Sequence, residues 1–254
     1  MREQIHGTTM PVLSVHLDPG ESVVAEAGEF SWMTDSIQIS TQGPAGLGGV
    51  GGRGLVGALR RVVGGSSPPM STYTAQGCPG TITFAAKVPG SILPVDVGPG
   101  AEYLVHRHGF LAGTPGVEVS AGFQQSFRAG ILAGEGFSLQ RLGGQGRAWV
   151  ELSGQVIPHE LAAGQSLRVH PGHVGLFQAS VSFQVVRVPG ITNRYFGGDA
   201  HYFAELSGPG TVWLQSMPLP QLAATLVPYI PAAEDRSETV EGGLVGGVIG
   251  DLLT

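Results

Sequence analysis

His106 and His108 are the residues of this sequence best placed to hold a metal ion. They are two positions apart, and at that spacing both imidazoles of a β-strand point to the same face. Imidazole nitrogens are common ligands of zinc, copper, iron and nickel. A β-barrel metal motif that begins in this way adds a glutamate a few residues later, whereas residues 109–113 read Gly-Phe-Leu-Ala-Gly. We therefore expect histidines that form hydrogen bonds or lie at the surface, with a metal or small-ligand site as the alternative.

The other residue patterns do not indicate an enzyme. The sequence has no Gly-x-Ser-x-Gly nucleophile elbow, and the Gly-rich residues 43–65 lack the Gly-Lys-Ser/Thr ending of a phosphate-binding loop. Glu26 and Glu29 lie beside a turn, and His170 and His173 flank a Pro-Gly pair. Neither pair has the spacing of a catalytic or metal-binding motif. We predict no catalytic residues, no cofactor and no bound metal.

The charge balance argues against a nucleic-acid partner. The chain of 254 residues has a formal net charge of -6, with 13 Lys plus Arg. Proteins that bind nucleic acids neutralise phosphates with clustered basic residues. The densest cluster here consists of Arg53, Arg60 and Arg61, which is more typical of a solvated surface.

The sequence also bears on the compartment. The single cysteine, Cys78, cannot form an internal disulfide. Residues 1–10 contain no apolar core of a signal peptide. No uncharged apolar run approaches the roughly 18 residues of a transmembrane helix. We expect a cytoplasmic protein without a transmembrane segment.

One pattern of apolar residues recurs three times and accounts for most of the chain. Residues 12–40 match residues 92–120 when 80 is added to each position, and residues 156–184 when 144 is added. The first two copies begin with apolar residues at every second position, which is the period of a half-buried strand. We predict an all-β fold built from three tandem copies of one short β unit.

Two local features of these copies are predicted. In the first copy Leu13, Val15 and Leu17 precede the turn at residues 18–21, and a return strand after the turn would complete a β-hairpin. Each copy then closes with a similar strand that carries an aromatic residue near a matched position. We expect this aromatic residue to fill the core of its own unit. The three residues are Phe84, Trp149 and Trp213.

The copies also set the domain boundaries. We predict one compact β domain over residues 5–228, with units at about 11–91, 92–155 and 156–228. The first unit carries the Gly-rich insertion 43–65, which we interpret as an ordered loop or short helix at a sheet edge or a subunit contact. Residues 229–254 are predicted to form a linker and a mildly apolar tail.

Three segments carry a family resemblance: residues 134–137, 172–177 and 208–215. They resemble the hallmark segments of the altered-inheritance-of-mitochondria family, once called a domain of unknown function, and the resemblance covers about residues 10–219. It implies a fold similar to that of the tryptophan RNA-binding attenuation protein. Three such TRAP-like units, short double-stranded β-helix or β-sandwich modules, would pack with pseudo-threefold symmetry. Trimers of such chains resemble that protein's ring.

The resemblance implies no established enzymatic activity, and it carries over no functional residue. Its mitochondrial members are linked to inner-membrane organisation. The only lysine here is Lys87, so the basic rim on which RNA binding depends is missing. We expect a non-enzymatic scaffold or protein-interaction protein that forms a homotrimer and binds an unidentified protein partner. One alternative is a membrane-associated organiser that uses residues 43–65 and 242–254. Another is a ligand- or metal-binding β-roll protein centred on His106 and His108.

Overall fold

The computed structural model describes residues 1–42, 69–125, 137–187 and 202–229. Within them the regular structure is β-strand apart from one α-helix, α1 (Leu219–Leu226), and two turns of 3₁₀-helix at Pro171–His173 and Val227–Tyr229. The strands are β1 (Arg2–His6), β2 (Val12–Leu17), β3 (Ser22–Glu26), β4 (Trp32–Met33), β5 (Ile37–Gln42), β6 (Met70–Ala75), β7 (Gly80–Ala85), β8 (Gly90–Val97), β9 (Tyr103–His106), β10 (Phe110–Gly113), β11 (Val117–Gln125), β12 (Phe137–Gly144), β13 (Gly146–Ser153), β14 (Val156–Leu161), β15 (Ser166–Val169), β16 (Val174–Gln178), β17 (Ser182–Arg187), β18 (Tyr202–Ser207) and β19 (Gly210–Gln215). The prediction of an all-β fold is confirmed.

The chain turns a corner between β2 and β3, and the predicted hairpin is wrong. β2 pairs with β1 and β7, whereas β3 pairs with β6 and β10. Gly20 allows the sharp turn, since its φ of 87° is accessible to glycine at little cost. Leu13, Leu17 and Val23 all lie in one buried cluster. The two strands therefore turn their apolar faces to the same core from two different sheets.

The strands form four antiparallel sheets. Their strand orders are β1-β2-β7-β4, β5-β6-β3-β10-β13-β8, β11-β12-β9-β16-β19-β14 and β15-β18-β17. Adding six to every strand number of the second sheet gives the third. The first and fourth sheets correspond to the two halves of such a sheet, with β1 added to the first. The TRAP-like units, their pseudo-threefold packing and the domain boundaries go beyond this strand order and stay predictions.

We call strands β2–β7, β8–β13 and β14–β19 the first, second and third segments. Each six-stranded sheet joins three strands of one segment to three strands of the next. In the second sheet the link is the pairing of β3 with β10, where Val24 stands opposite Gly113. In the third sheet it is the pairing of β9 with β16, where Val105 stands opposite Leu176. Since strands in these pairs are far apart in sequence, each link holds two successive segments together.

Three clusters of buried side chains fill the space between the sheets. The first consists of Leu13, Val15, Leu17, Val23, Ala25, Ile37, Tyr73, Ala75, Ile82, Phe84, Ile92, Leu111, Ala112 and Trp149. The second consists of Val95, Val97, Val105, Phe110, Val117, Leu142, Ala148, Val150, Leu152 and Leu176. The third consists of Leu139, Val169, Val174, Phe177, Val181, Ala204, Leu206 and Val212. Successive segments of the chain supply most of the successive clusters.

The aromatic residues of the closing strands fill the cores differently from the prediction. Phe84 on β7 lies in the first cluster, as expected, but Trp149 on β13 lies there too. Trp213 on β19 packs, partly buried, against the second cluster. Neighbouring residues of a strand point to opposite faces, so β13 places Val150 in the second cluster and Trp149 in the first. The two tryptophans thus pack on the preceding segment and not on their own.

The N-terminal strand β1 is tied to the buried Trp149. The Glu3 carboxylate accepts a hydrogen bond from Trp149 Nε1 at 2.6 Å. It also accepts bonds from Arg147 Nε at 2.9 Å and Nη2 at 2.7 Å. Arg147 Nη1 in turn donates to Asp96 at 3.0 Å. Because a buried indole N–H needs a partner, Glu3 both satisfies Trp149 and fixes β1.

Prolines lie in the edge strands β8 and β14, which have no added strand like β1 among the described residues. β1 adds to the sheet at β2, with Gln4 opposite Ser14. The positions that correspond to Ser14 are Pro94 on β8 and Pro158 on β14, each opposite the tryptophan of the neighbouring strand. Both strands are sheet edges. Proline lacks the N–H that an added strand would need, so these edges disfavour further pairing.

The Glu3 network predicts a measurable loss of stability. Glu3→Ala leaves the Trp149 N–H and the Arg147 guanidinium without their acceptor, so we expect the free energy of unfolding to fall by about 1–3 kcal/mol. Glu3→Gln keeps one acceptor and should cost less. Urea unfolding followed by tryptophan fluorescence checks this. Gln4→Ala, at an exposed position on the same strand, is the control, and an equal loss there would contradict the role given to Glu3.

Candidate functional site

His106 and His108 do not share one strand face. β9 ends at His106, and His108 lies exposed in the turn that follows. His106 Nε2 lies 3.1 Å from the backbone oxygen of Glu151, and burial lowers the pKa of His106 to about 4. The neutral ring therefore donates its N–H to β13. Across the described ranges no group of three or more His, Cys, Asp and Glu residues could hold a metal ion.

The second histidine pair also makes hydrogen bonds within the fold. The rings of His170 and His173 meet edge to face, with centroids 5.9 Å apart. His173 Nδ1 lies 2.8 Å from the backbone oxygen of Gln215. This contact resembles that of His106 with Glu151, because each histidine contacts a backbone oxygen near the end of a closing strand. These geometries support the hydrogen-bonding role that the sequence predicts for the histidines.

Buried polar side chains secure the connections between successive segments. Glu151 on β13 is 5% exposed, and its Oε1 accepts the backbone N–H of Lys87 at 2.8 Å. Gln215, at the corresponding place on β19, is 6% exposed and accepts the N–H of Ser153 at 3.0 Å. Lys87 follows β7 and Ser153 ends β13. Glu151 and Gln215 therefore each bind the backbone of the connection that leads into their own segment. β7 has Ala85 at this place.

The junction around Glu151 is rich in carboxylates. Gln140 Nε2 donates to Glu26 at 2.8 Å, and Lys87 Nζ lies 2.6 Å from Glu29 Oε2. Burial raises the pKa of Glu26 and of Glu151. Neither group has an ion-pair partner among the described residues. Sequence reasoning missed this junction, because glutamates beside a turn were the one sign of it.

These groups predict opposing effects of pH on stability. The native pKa of His106, about 4, lies below the ordinary value of 6.5, so the unfolded chain binds more protons between these values. Its contribution to stability is therefore lost as the pH falls through this window, by at most about 3 kcal/mol. Glu26 and Glu151 act in the other direction. Their raised pKa values mean that the contribution present below about pH 4.5 is lost as the pH rises.

Urea unfolding between pH 4 and pH 8 separates the two effects. Glu26→Gln should raise the free energy of unfolding at pH 7, with the gain shrinking towards pH 4, because an uncharged amide needs no desolvation of charge. His106→Gln should reduce the loss on the acid side. His6→Gln, exposed on β1, is the matched control. A gain for Glu26→Gln that is unchanged at pH 4 would contradict the assignment to the carboxylate.

Within the described ranges, two strands lack the partner that their counterparts have. β4 forms one edge of the first sheet, and β15 forms one edge of the fourth. Strand numbers that differ by six mark corresponding strands in successive segments. β4 therefore corresponds to β10 and β16, and β15 corresponds to β9 and β3. Those counterparts pair with each other, β3 with β10 and β9 with β16. The two ends of the strand order are therefore complementary half sheets with open edges.

The side chains at these ends are exposed where their counterparts are buried. Trp32 on β4 is 56% exposed, whereas Ala112 and Leu176 at the corresponding positions are 0% exposed. Ala112 fills the first cluster and Leu176 the second, in each case the core of the preceding segment. On the opposite side, Leu13 on β2 is 0% exposed and its counterpart Ile157 on β14 is 53% exposed. An apolar surface thus remains at each end of the described chain.

Comparison with known proteins places this fold in a family. The family described as "Mitochondrial biogenesis AIM24" matches residues 3–217, which include both open edges. The chain belongs to this family. The family resemblance drawn from the sequence is confirmed. The description names mitochondria, and the cytoplasmic location expected from the sequence stays a prediction.

Two proteins of Streptococcus pyogenes are similar to this chain. The uncharacterized protein M6_Spy0233 of Streptococcus pyogenes serotype M6 is 25% identical over 232 residues, which is 89% of this chain and 89% of that protein. The crystal structure of protein SPYM3_0169 from Streptococcus pyogenes matches with a TM-score of 0.71 and 22% identity, over 90% of this chain and 99% of that chain. At this identity the structural match shows a common fold alone.

Several predictions from the sequence concern residues outside the described ranges. They are the roles of the Gly-rich insertion 43–65 and of the tail beyond residue 229, together with the hallmark positions 134–136. The membrane-associated alternative depends on the insertion and the tail, so it stays a prediction. None of the described helices is both long and apolar enough to span a bilayer.

Proposed function

We propose that this protein is a non-enzymatic scaffold whose copies join edge to edge into a closed homotrimer. The observation that carries the proposal is the complementarity of the two half sheets, β4-β7-β2-β1 and β15-β18-β17. Pairing β15 of one copy with β4 of the next, which we call the joint, would complete a seven-stranded sheet. An unpaired strand edge is a strong site for association, so the joint gives both edges the partner that their counterparts have.

The proposal includes three units per chain, with the predicted boundaries at about 11–91, 92–155 and 156–228. The shift by six strands between the two complete sheets supports this division. Each unit would be a TRAP-like module that shares one sheet with the next unit. Head-to-tail contacts produce either a ring or an open filament. Closure at three copies follows the family resemblance to the ring of the attenuation protein.

The register of the joint follows from the two pairings that correspond to it. Both place Met33 of the next copy opposite Arg168, and the pairing of β9 with β16 also places Trp32 of the next copy opposite Val169. Trp32 would then lie against the third cluster, as Ala112 lies in the first and Leu176 in the second. Buried tryptophans at the centre of an interface contribute roughly 2 kcal/mol or more to association.

The assembled ring would offer surfaces to a protein partner. No enzymatic step is assigned, because the histidines and buried glutamates described above are engaged in hydrogen bonds that hold the segments together. The partner is unidentified. A protein that binds a ring of identical copies would meet the same surface three times, and such repeated contacts raise the overall affinity without new types of contact.

Light scattering coupled to size exclusion tests the ring. We expect the unmodified protein to have three times the mass of a single chain. Trp32→Asp should yield a folded monomer, because the carboxylate cannot enter an apolar core without a large desolvation cost. Ile39→Asp is the matched control, since Ile39 is 45% exposed on β5 and lies outside the joint, so this variant should keep the threefold mass.

Either of two results would overturn the proposal. The first is an unmodified protein that is monomeric at all concentrations tested. The second is a Trp32→Asp variant that assembles as well as the unmodified protein. Circular dichroism of each variant shows whether the fold is retained, so that a loss of mass is assigned to the joint and not to unfolding.

A further inference from the structure

The last residue of α1 and the 3₁₀ turn after it carry apolar side chains that the described part of the chain does not cover. Residues 223–229 are all exposed, and among them Leu226, Val227 and Tyr229 are exposed by 49%, 63% and 81%. The beginning of the helix is anchored: Pro218 is buried, and Gln221 Nε2 lies 3.4 Å from His170 Nδ1. The anchored half thus lies beside the end of β15, the strand that forms the joint.

Hydrogen bonds between the connections show what lies next to the start of α1. Gly90 N, at the start of β8, donates to Thr9 O at 2.8 Å, and Gly154 N, just before β14, donates to Pro89 O at 2.8 Å. The next acceptor in this row is Ser153 O, which accepts from Met217 N at 3.3 Å. Met217 of the same chain therefore takes the place in this row that Gly90 and Gly154 have in the two connections before it. In the proposed ring the start of the next copy follows the same shift, so its Met10, which corresponds to Gly90 and Gly154, would lie beside the beginning of the helical segment.

The first sheet offers an apolar surface at that place. Met10 is 46% exposed and Ile5 is 37% exposed. β1 pairs with β2 so that Ile5 stands opposite Leu13, next to the start of β2. Ile5 and Met10 thus lie at the end of the sheet that the row of connections approaches. Exposed apolar residues are grouped at both ends of the described chain, and the joint would bring the two groups together.

The composition of the helical segment fits burial against another copy. Residues 217–229 carry no charged side chain, so covering them requires no desolvation of charge. A helix of eight residues is marginal in water without tertiary packing. Packing against a partner surface would therefore stabilise the end of α1 and the 3₁₀ turn after it, where the described part of the chain leaves Leu226, Val227 and Tyr229 exposed.

We propose that α1 and the 3₁₀ turn after it form a clasp that packs Leu226, Val227 and Tyr229 against Ile5 and Met10 of the next copy. This inference rests on the proposed ring and adds a second contact outside the paired strands. The clasp would strengthen the joint, because dissociation would then require both the strand pairing and the helix contact to break.

Site-specific cross-linking tests the clasp in the full chain. Tyr229→benzoylphenylalanine, illuminated in the assembled protein, should join two chains, and peptide mapping should place the link within residues 1–17. Ile39→benzoylphenylalanine, at an exposed apolar position on β5, is the matched control and should not react with that segment. A Tyr229 link that lies within a single chain would overturn the clasp.

A second measurement uses the concentration at which the ring dissociates. The double variant Leu226→Ser with Tyr229→Ser should keep its fold, since both positions are exposed, and should dissociate at a concentration at least tenfold higher. An unchanged dissociation concentration would overturn the clasp and leave the ring intact. If the unmodified protein is itself monomeric, the ring fails, and the clasp fails with it. The two failures are therefore distinguishable.

Discussion

The pairing of strands from successive segments, β3 with β10 and β9 with β16, is the interaction on which the rest of this structure depends. Each pairing turns two half sheets into one six-stranded sheet, and neither half would cover its own edge without the other. The same interaction explains the ends of the described chain. A chain built from such links has one half sheet left over at each end, and in this protein β4 and β15 are their open edges.

Side-chain packing follows the same plan as the strand pairing. Trp149 and Ala112 come from the second segment but fill the first cluster, and Leu176 comes from the third segment but fills the second. Stability is therefore shared between neighbours, as in repeat proteins whose units contact only the units beside them. The first segment has an additional cover, since β1 extends its sheet and Glu3 binds Trp149. The third segment leaves Ile157 exposed.

The residues that could have done chemistry are used to connect the segments. His106 donates to the backbone of β13, and Glu151 and Gln215 accept backbone N–H groups from the connections that lead into their strands. A histidine with a pKa of about 4 and carboxyls with raised pKa values are common at active sites. In this protein the same shifts arise from burial at a junction. Their geometry is consistent with the proposed scaffold role.

The sequence by itself determined the all-β class, because alternation of apolar residues such as Leu13, Val15 and Leu17 is a local signal of which face is buried. The resemblance in residues 134–137, 172–177 and 208–215 determined the family. The sequence did not determine which sheet a strand joins. A turn with a glycine at Gly20 serves a hairpin or a corner equally well, so the predicted hairpin was wrong. The cluster in which Trp149 is buried and the exposure of Trp32 likewise depend on pairings between residues far apart in the chain. Only the tertiary structure decided these features, since an alternating pattern has two faces but does not specify the core that each face meets.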